Sequence, residues 1–173
     1  MEPFFRPATI QDSIEITRIV NESYRNNGGW TTESHLLSGS RIAEQGVHDV
    51  LSLNQPIPQI IVATINNQVI GTLQLQVENS ISVIFGLFAI KQSLQSNGVG
   101  RKLINHGFDV CIQHGFKIAV VYVINLRHDL ISWYIKLGFK SIQGEINVIP
   151  ELNQLKKLEE DIVFQRFEKV LEK

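Results

Sequence analysis

A single cysteine, Cys111, in 173 residues rules out an intrachain disulfide framework and fits a reducing compartment. No apolar run approaches the roughly 20 residues needed to span a bilayer as a helix. Lysine and arginine number 16 against 17 acidic residues, a formal net charge of −1, so the basic excess that phosphate backbones demand is missing. Neither nucleic acid nor a membrane is therefore expected as a partner. The first residues, Met-Glu-Pro-Phe-Phe-Arg, lack a basic stretch followed by an apolar one, and a cytoplasmic location is expected. No internal repeat or low-complexity tract breaks the chain. With 43% hydrophobic residues, residues 1–173 are expected to form one domain burying about two-thirds of its unfolded surface.

The most informative stretch runs from Phe85 to Leu103. It opens as an apolar strand, passes through a polar turn and enters a helix at Gly98-Val-Gly-Arg-Lys-Leu-Ile104. A strand feeding a glycine turn at a helix start gathers unpaired N–H groups at the positive end of the helix dipole, which suits a phosphate. Glycines at 98 and 100 remove the Cβ atoms that would hold a pyrophosphate off those amides. The spacing Gln95-x-x-Gly98-x-Gly100 is neither the dinucleotide fingerprint nor the P-loop. A glycine-tolerant connection in an unrelated sheet would look the same.

Around this stretch the chain alternates strands and helices. Phe4-Phe5-Arg6 reads as a short strand, and Thr9 as the cap of a helix to about Tyr24, broken at Asn26-Asn27-Gly28-Gly29. Thr31 or Thr32 can cap a short helix, and Ser40 another reaching Leu53. Residues 59–65 and 68–77 read as a hairpin turning at Asn66-Asn67. Residues 81–90 are apolar on both faces, as in a central strand. A helix over 98–114, capped by Gly115, and a strand over 117–124 follow, a crossover that predicts parallel neighbours. Arg127 to Leu137 reads as a helix closed by Gly138-Phe139. Lys140–Gln143 and a last strand near 162–169 flank a loop whose charged run, Lys156–Asp161, reads as solvated.

The Gln95–Gly100 loop resembles the pyrophosphate loop of the GNAT superfamily of acetyl-CoA-dependent N-acyltransferases, whose signature is Arg/Gln-x-x-Gly-x-Gly/Ala. Tyr134-x-x-x-Gly138-Phe139 resembles that family's fourth segment, and it follows after the expected helix and strand. The resemblance implies an α/β fold of the α+β kind. Its centre would be a mixed, mostly antiparallel sheet of about seven strands, with a parallel pair splayed at the cofactor site. It implies N-acetyl transfer from acetyl-CoA to a primary amine of a small molecule or peptide, by direct attack in a ternary complex, without a metal. A catalytically silent CoA-binding sensor or partner-binding module is the alternative, and monomer and homodimer both remain open, since an exposed last strand can pair across a dimer.

Carried onto this chain, the resemblance assigns Tyr134 as the general acid. The main chain of Leu87, Phe88, Ala89 and Ile90 would hold the pantetheine arm. The N–H groups of Gln95, Ser96, Asn97, Gly98, Val99 and Gly100 would hold the pyrophosphate, with Arg101 adding charge. Where the family often has Asn, seven residues before Tyr134, this chain has Arg127, with Asn125 two residues earlier; both are cofactor candidates. Trp30, Thr32, Glu33 and Arg41 fall in the segment that walls the acceptor site, though the same residues also serve as caps and packing. Arg25 and Arg41 can meet an acceptor carboxylate. Residues 81–90 contain no carboxylate or histidine, so the base must come from elsewhere: Glu33, His35, Glu78 or a water chain.

Overall fold

An antiparallel hairpin begins where the sequence places it, at Asn66-Asn67, whose φ values of 50° and 62° are the two left-handed residues of a tight hairpin turn. It joins β3 (Ile60–Ile65) to β4 (Gln68–Val77). The computed structural model describes residues 2–26, 30, 32–146, 156–157 and 162–172. The remaining elements are β1 (Phe4–Pro7), α1 (Ser13–Arg25), β2 (Leu37–Ser38), α2 (Glu44–Leu51), β5 (Ser82–Ile90), α3 (Val99–Gln113), β6 (Ile118–Ile124), α4 (His128–Lys136), β7 (Lys140–Ile146), β8 (Lys156–Lys157) and β9 (Phe164–Val170). Seven strands form one sheet in the order β1-β3-β4-β5-β6-β9-β7, and β2 pairs with β8 apart from it. All pairs are antiparallel except β5 with β6, the crossover pair read from the sequence.

Each face of the sheet carries its own core. On one side α1 and α2 bury Ile16, Ile19, Val20 and Val47 against Ile60, Val62 and Val69. On the other, Leu103, Ile104, Phe108 and Cys111 of α3 pack on Leu73, Leu75, Val83 and Phe85. Close approach of α3 requires Gly107, because a Cβ there would lie 2.6 Å from Leu73 and 3.1 Å from Phe85.

Several boundaries differ from the sequence reading. Thr9 starts a 3-10 turn, Ile10–Asp12, ahead of α1, with its N–H donating to Asp12, which also pairs with Arg6. The helix expected from Ser40 begins at Glu44. Asn21 is the reason: its Oδ1 accepts from the N–H groups of Arg41 and Ile42, which keeps those residues out of the helix. No helix follows Thr32; one turn leads into β2. Gly115, with φ of 84°, stands one residue past the C-cap His114. The last strand, β9, is inserted between β6 and β7 and is not an edge, so it has no free side for a dimer partner. The break at residues 27–29, Thr31 as a cap and the charged run beyond Lys157 lie outside the described residues.

Candidate active site

The site grows from an irregularity in β5. Its register with β4 shifts between Thr72 and Gln74, which face Ala89 and Gly86, so Leu87 and Phe88 together oppose Leu73. Leu87 has φ of 41°, a left-handed conformation costly for a branched side chain. The extra residue reverses the alternation of faces: Val83 and Phe85 point to α3, Leu87 and Ala89 point to α1, and Phe88 and Ile90 point back toward α3.

Pairing of β5 with β6 covers only Ser82 to Ile84. Beyond it the strands split. Ala89 faces β4, and Lys91 N–H donates to Ile70 O, so the main chain of Phe88 and Ile90 turns toward the split. Their carbonyls take side-chain donors from elsewhere: Tyr24 Oη to Phe88 O at 2.8 Å, and Ser23 Oγ and Gln95 Nε2 to Ile90 O at 3.2 and 3.0 Å. The N–H groups of Phe88 and Ile90 share that edge, and among the described residues no strand pairs with it there.

Below the split the chain passes through a short turn, Gln92–Leu94, and enters α3. Ser96 and Gly98 take φ of 64° and 78°, and the first helical bond is Lys102 N–H to Gly98 O. Among the described residues, the N–H groups from Ser96 to Arg101 have no protein acceptor. They border a cleft of about 310 Å³ walled by Phe88, Ile90, Trp30 and Trp133, with Arg101 at its polar end. A Cβ on Gly100 would lie 3.1 Å from Phe88, inside this wall. Backbone donors, a helix N-terminus and an apolar wall beside them suit a ligand with a phosphate end and an apolar arm.

Tyr134 stands on α4 next to Trp133 of the cleft wall. Its ring is buried edge-on against Trp133 and Phe139, with centroids 5.0 and 5.3 Å apart, and Trp133 stacks on Phe88. Among the described residues its hydroxyl has no hydrogen-bond partner. Burial holds its pKa well above the usual phenol value, and Tyr24 and Glu33 add to the effect. Tyr24 is likewise pushed up to about 12, mainly by burial. Two neutral phenols therefore meet at the split. Tyr24 escaped the sequence reading because a tyrosine on the last turn of an amphipathic helix carries no signal of its own.

The other candidates divide by position. Glu33 is buried, 3.1 Å from Arg25, in the electrostatic surroundings of both tyrosines. Arg127 is buried but turned to protein: it donates to Trp30 O and Thr32 O at 2.7 and 2.8 Å and pairs with Asp129. It thus holds the segment bearing Trp30 and Thr32 over the cleft. Trp30 N–H also donates to Gln95 Oε1, so the Gln95 side chain braces two walls. Asn125 exchanges bonds with the main chain of Val163 and ties β6 to the entry of β9. His35 is exposed on the turn before β2. Arg41 lines a second cavity, about 690 Å³, on the α1 side of β5, where Leu87 forms part of the wall.

Glu78 is not brought to the split. It sits at the opposite end of β5, clamped by Arg166 at 2.6 and 2.8 Å and by Ser82. The Arg166 bonds hold its pKa below the usual carboxylate value. A depressed folded pKa gives stability present above the unfolded value, near 4.3, and lost as pH falls through the folded one. Glu78→Gln is therefore expected to cost ~2 kcal/mol at pH 7, with the deficit shrinking below about pH 4. Urea unfolding at pH 7 and pH 3 measures the difference, and acetyl-CoA binding should be untouched.

Residues 56–141 match the family model described as an acetyltransferase (GNAT) domain. No curated protein matches the chain significantly by sequence. Solved structures share the fold at low identity. An N-acetyltransferase from Staphylococcus aureus aligns with TM-score 0.75 and 16% identity, over 99% of this chain and 100% of that one. The ribosomal-protein-alanine N-acetyltransferase of Brucella melitensis gives 0.73 and 16%, over 97% and 99%. YncA of Salmonella typhimurium, solved with its cofactor acetyl-CoA, gives 0.70 and 18%, over 100% and 96%. No helix among the described residues is long and apolar enough to cross a membrane, and no cluster of metal-ligating side chains occurs among them.

Proposed function

Starting from a chain that carries a GNAT acetyltransferase domain, we propose that it moves an acetyl group from acetyl-CoA directly to a primary amine, both bound together. Acetyl-CoA supplies an activated thioester carbonyl. The unpaired amides from Ser96 to Arg101, over glycines that leave no Cβ in the cleft, fit its pyrophosphate, and Phe88, Ile90 and Trp133 fit its apolar arm. Of the former base candidates, Glu33 is the carboxylate at the split.

An alkylammonium of pKa about 10.4 is neutral only about once in a few thousand molecules at pH 7, so the acceptor must give up a proton. Glu33 draws the ammonium in and takes that proton, directly or through water. The Phe88 N–H, facing the split, stabilises the charge that grows on the carbonyl oxygen. Tyr134 donates its proton to the departing sulfur. Cys111 lies in the core beneath α3, its thiol pushed up to about 12 by burial, which disfavours a covalent acyl-enzyme.

The observation that carries this reading is the hydroxyl of Tyr134, carried on a buried ring beside the Phe88–Trp133 stack and without a hydrogen-bond partner among the described residues. A hydroxyl with no protein partner is free to donate its proton to a ligand. Its test at the base is Glu33→Gln, expected to lower kcat/KM about 100-fold with acetyl-CoA affinity unchanged by calorimetry. Full activity in that variant would assign the proton to water alone.

A further inference from the structure

Five of the seven arginines are tied to carboxylates: Arg6 to Asp12, Arg18 to Glu22, Arg25 to Glu33, Arg127 to Asp129 and Arg166 to Glu78. Arg41 and Arg101 have no such partner among the described residues. Each lines a cavity beside the bulge, Arg101 the one walled in part by Phe88 and Arg41 the one walled in part by Leu87. Arg101 stands at the phosphate end of the cofactor cleft, where an anion is expected. By the same logic Arg41 marks an anion site in the other cavity.

Its position is built in. Arg41 N–H is held by Asn21, and the guanidinium lies 5.8 Å over the Tyr24 ring, whose hydroxyl holds Phe88 O at the bulge. A cation in a concave, partly desolvated site attracts an anion more strongly than one on open surface. Arg25, the other arginine of this region, is committed through Nε to Gly39 O and through Nη1 to Glu33, and only its buried Nη2 lacks a partner among the described residues. Around Arg41 the wall combines the amides of Gln74 and Gln76 with the apolar faces of Ile42, Val50 and Leu87. Asp49 lies on the rim, exposed and accepting from Gln45 at 2.9 Å. One inward cation opposed by a rim carboxylate suits a monoanion and disfavours a phosphate dianion. The cavity, about 690 Å³, is large enough for an amino acid with a sizeable side chain.

Building on the acetyltransferase reading, we propose that the acceptor is a small amino-carboxylate, such as a free amino acid. Its carboxylate pairs with Arg41 and its amine reaches the bulge at Leu87.

The test uses the common amino acids and their carboxamides as paired acceptors, with the intact protein and its Arg41→Gln and Arg41→Lys variants. CoA release gives kcat/KM, and calorimetry with acetyl-CoA reads the fold and the cofactor site separately. The free carboxylate should be preferred over its amide by about 10-fold or more for the best pairs, although the amide's amine is the easier to deprotonate. Arg41→Gln should reduce that ratio to about one, and Arg41→Lys should keep part of it, with acetyl-CoA affinity unaltered in both. Equal use of acids and amides overturns the proposal, as does a preference that survives Arg41→Gln. Acetyl-CoA binding with no amino-carboxylate accepted also overturns it, whereas loss of acetyl-CoA binding by the wild type overturns the reading beneath it.

Discussion

Tyr134→Phe is expected to lower kcat about 100-fold or more while leaving acetyl-CoA affinity and stability nearly unchanged. The change removes one oxygen and keeps the ring against Trp133 and Phe139. That oxygen has no hydrogen-bond partner among the described residues, so its loss breaks no bond in the resting protein. Deleting a hydroxyl that makes no hydrogen bond within the protein is close to neutral for stability. The signature is thus a Tm held with turnover collapsed, which a merely structural tyrosine would not give. Tyr24→Phe supplies the contrast. Its hydroxyl donates to Phe88 O at 2.8 Å, so its removal leaves a carbonyl short of a donor and should cost ~1 kcal/mol of stability. Because burial keeps both phenols protonated well past their usual range, no tyrosine ionisation near pH 10 should appear as a basic limb in the kcat profile.

Gly100→Val should weaken acetyl-CoA binding by 100-fold or more while the protein stays folded. A Cβ at residue 100 already lies 3.1 Å from Phe88 Cζ, and the two methyl groups of valine add bulk beside the amides of the first turn. Backbone donors serve a phosphate only when it can approach to hydrogen-bond distance. Displacing Phe88 also disturbs its stack on Trp133, which walls the apolar arm. The helix itself tolerates valine at a cost of well under 1 kcal/mol relative to alanine. Calorimetric titration of acetyl-CoA into wild type and variant reads the affinity, and thermal unfolding read alongside separates a blocked cleft from a lost fold.

Much of the architecture could be read from local patterns. The Asn66-Asn67 turn needs two left-handed residues, and asparagine tolerates that conformation. The glycine loop announces α3, and Gly138, at φ of 94°, ends α4 so that Phe139 drops into the core. These signals are local, so a sequence carries them plainly. What it did not carry depends on distant partners. The bulge places its left-handed φ on Leu87 and not on the neighbouring Gly86, so residue type points beside the position rather than at it. The start of α2 is set by Asn21, some twenty residues upstream. Arg127 and Asn125 lie where a motif suggests cofactor contact, yet their polar atoms serve the Trp30–Thr32 segment and Val163. Glu78 was a candidate because of its residue type, and its place on the strand sets it at the far end. Tyr24 gained meaning only once α1 was laid across the end of β5.

The most direct measurement is acceptor-dependent CoA release at saturating acetyl-CoA over a broad panel of primary amines, with the acetylated products identified by mass. Release that requires an amine, yields one N-acetyl product per CoA and falls about 100-fold in Tyr134→Phe is the expected result. Tight acetyl-CoA binding with no acetylated product from any amine would contradict it and leave a CoA-binding module in its place.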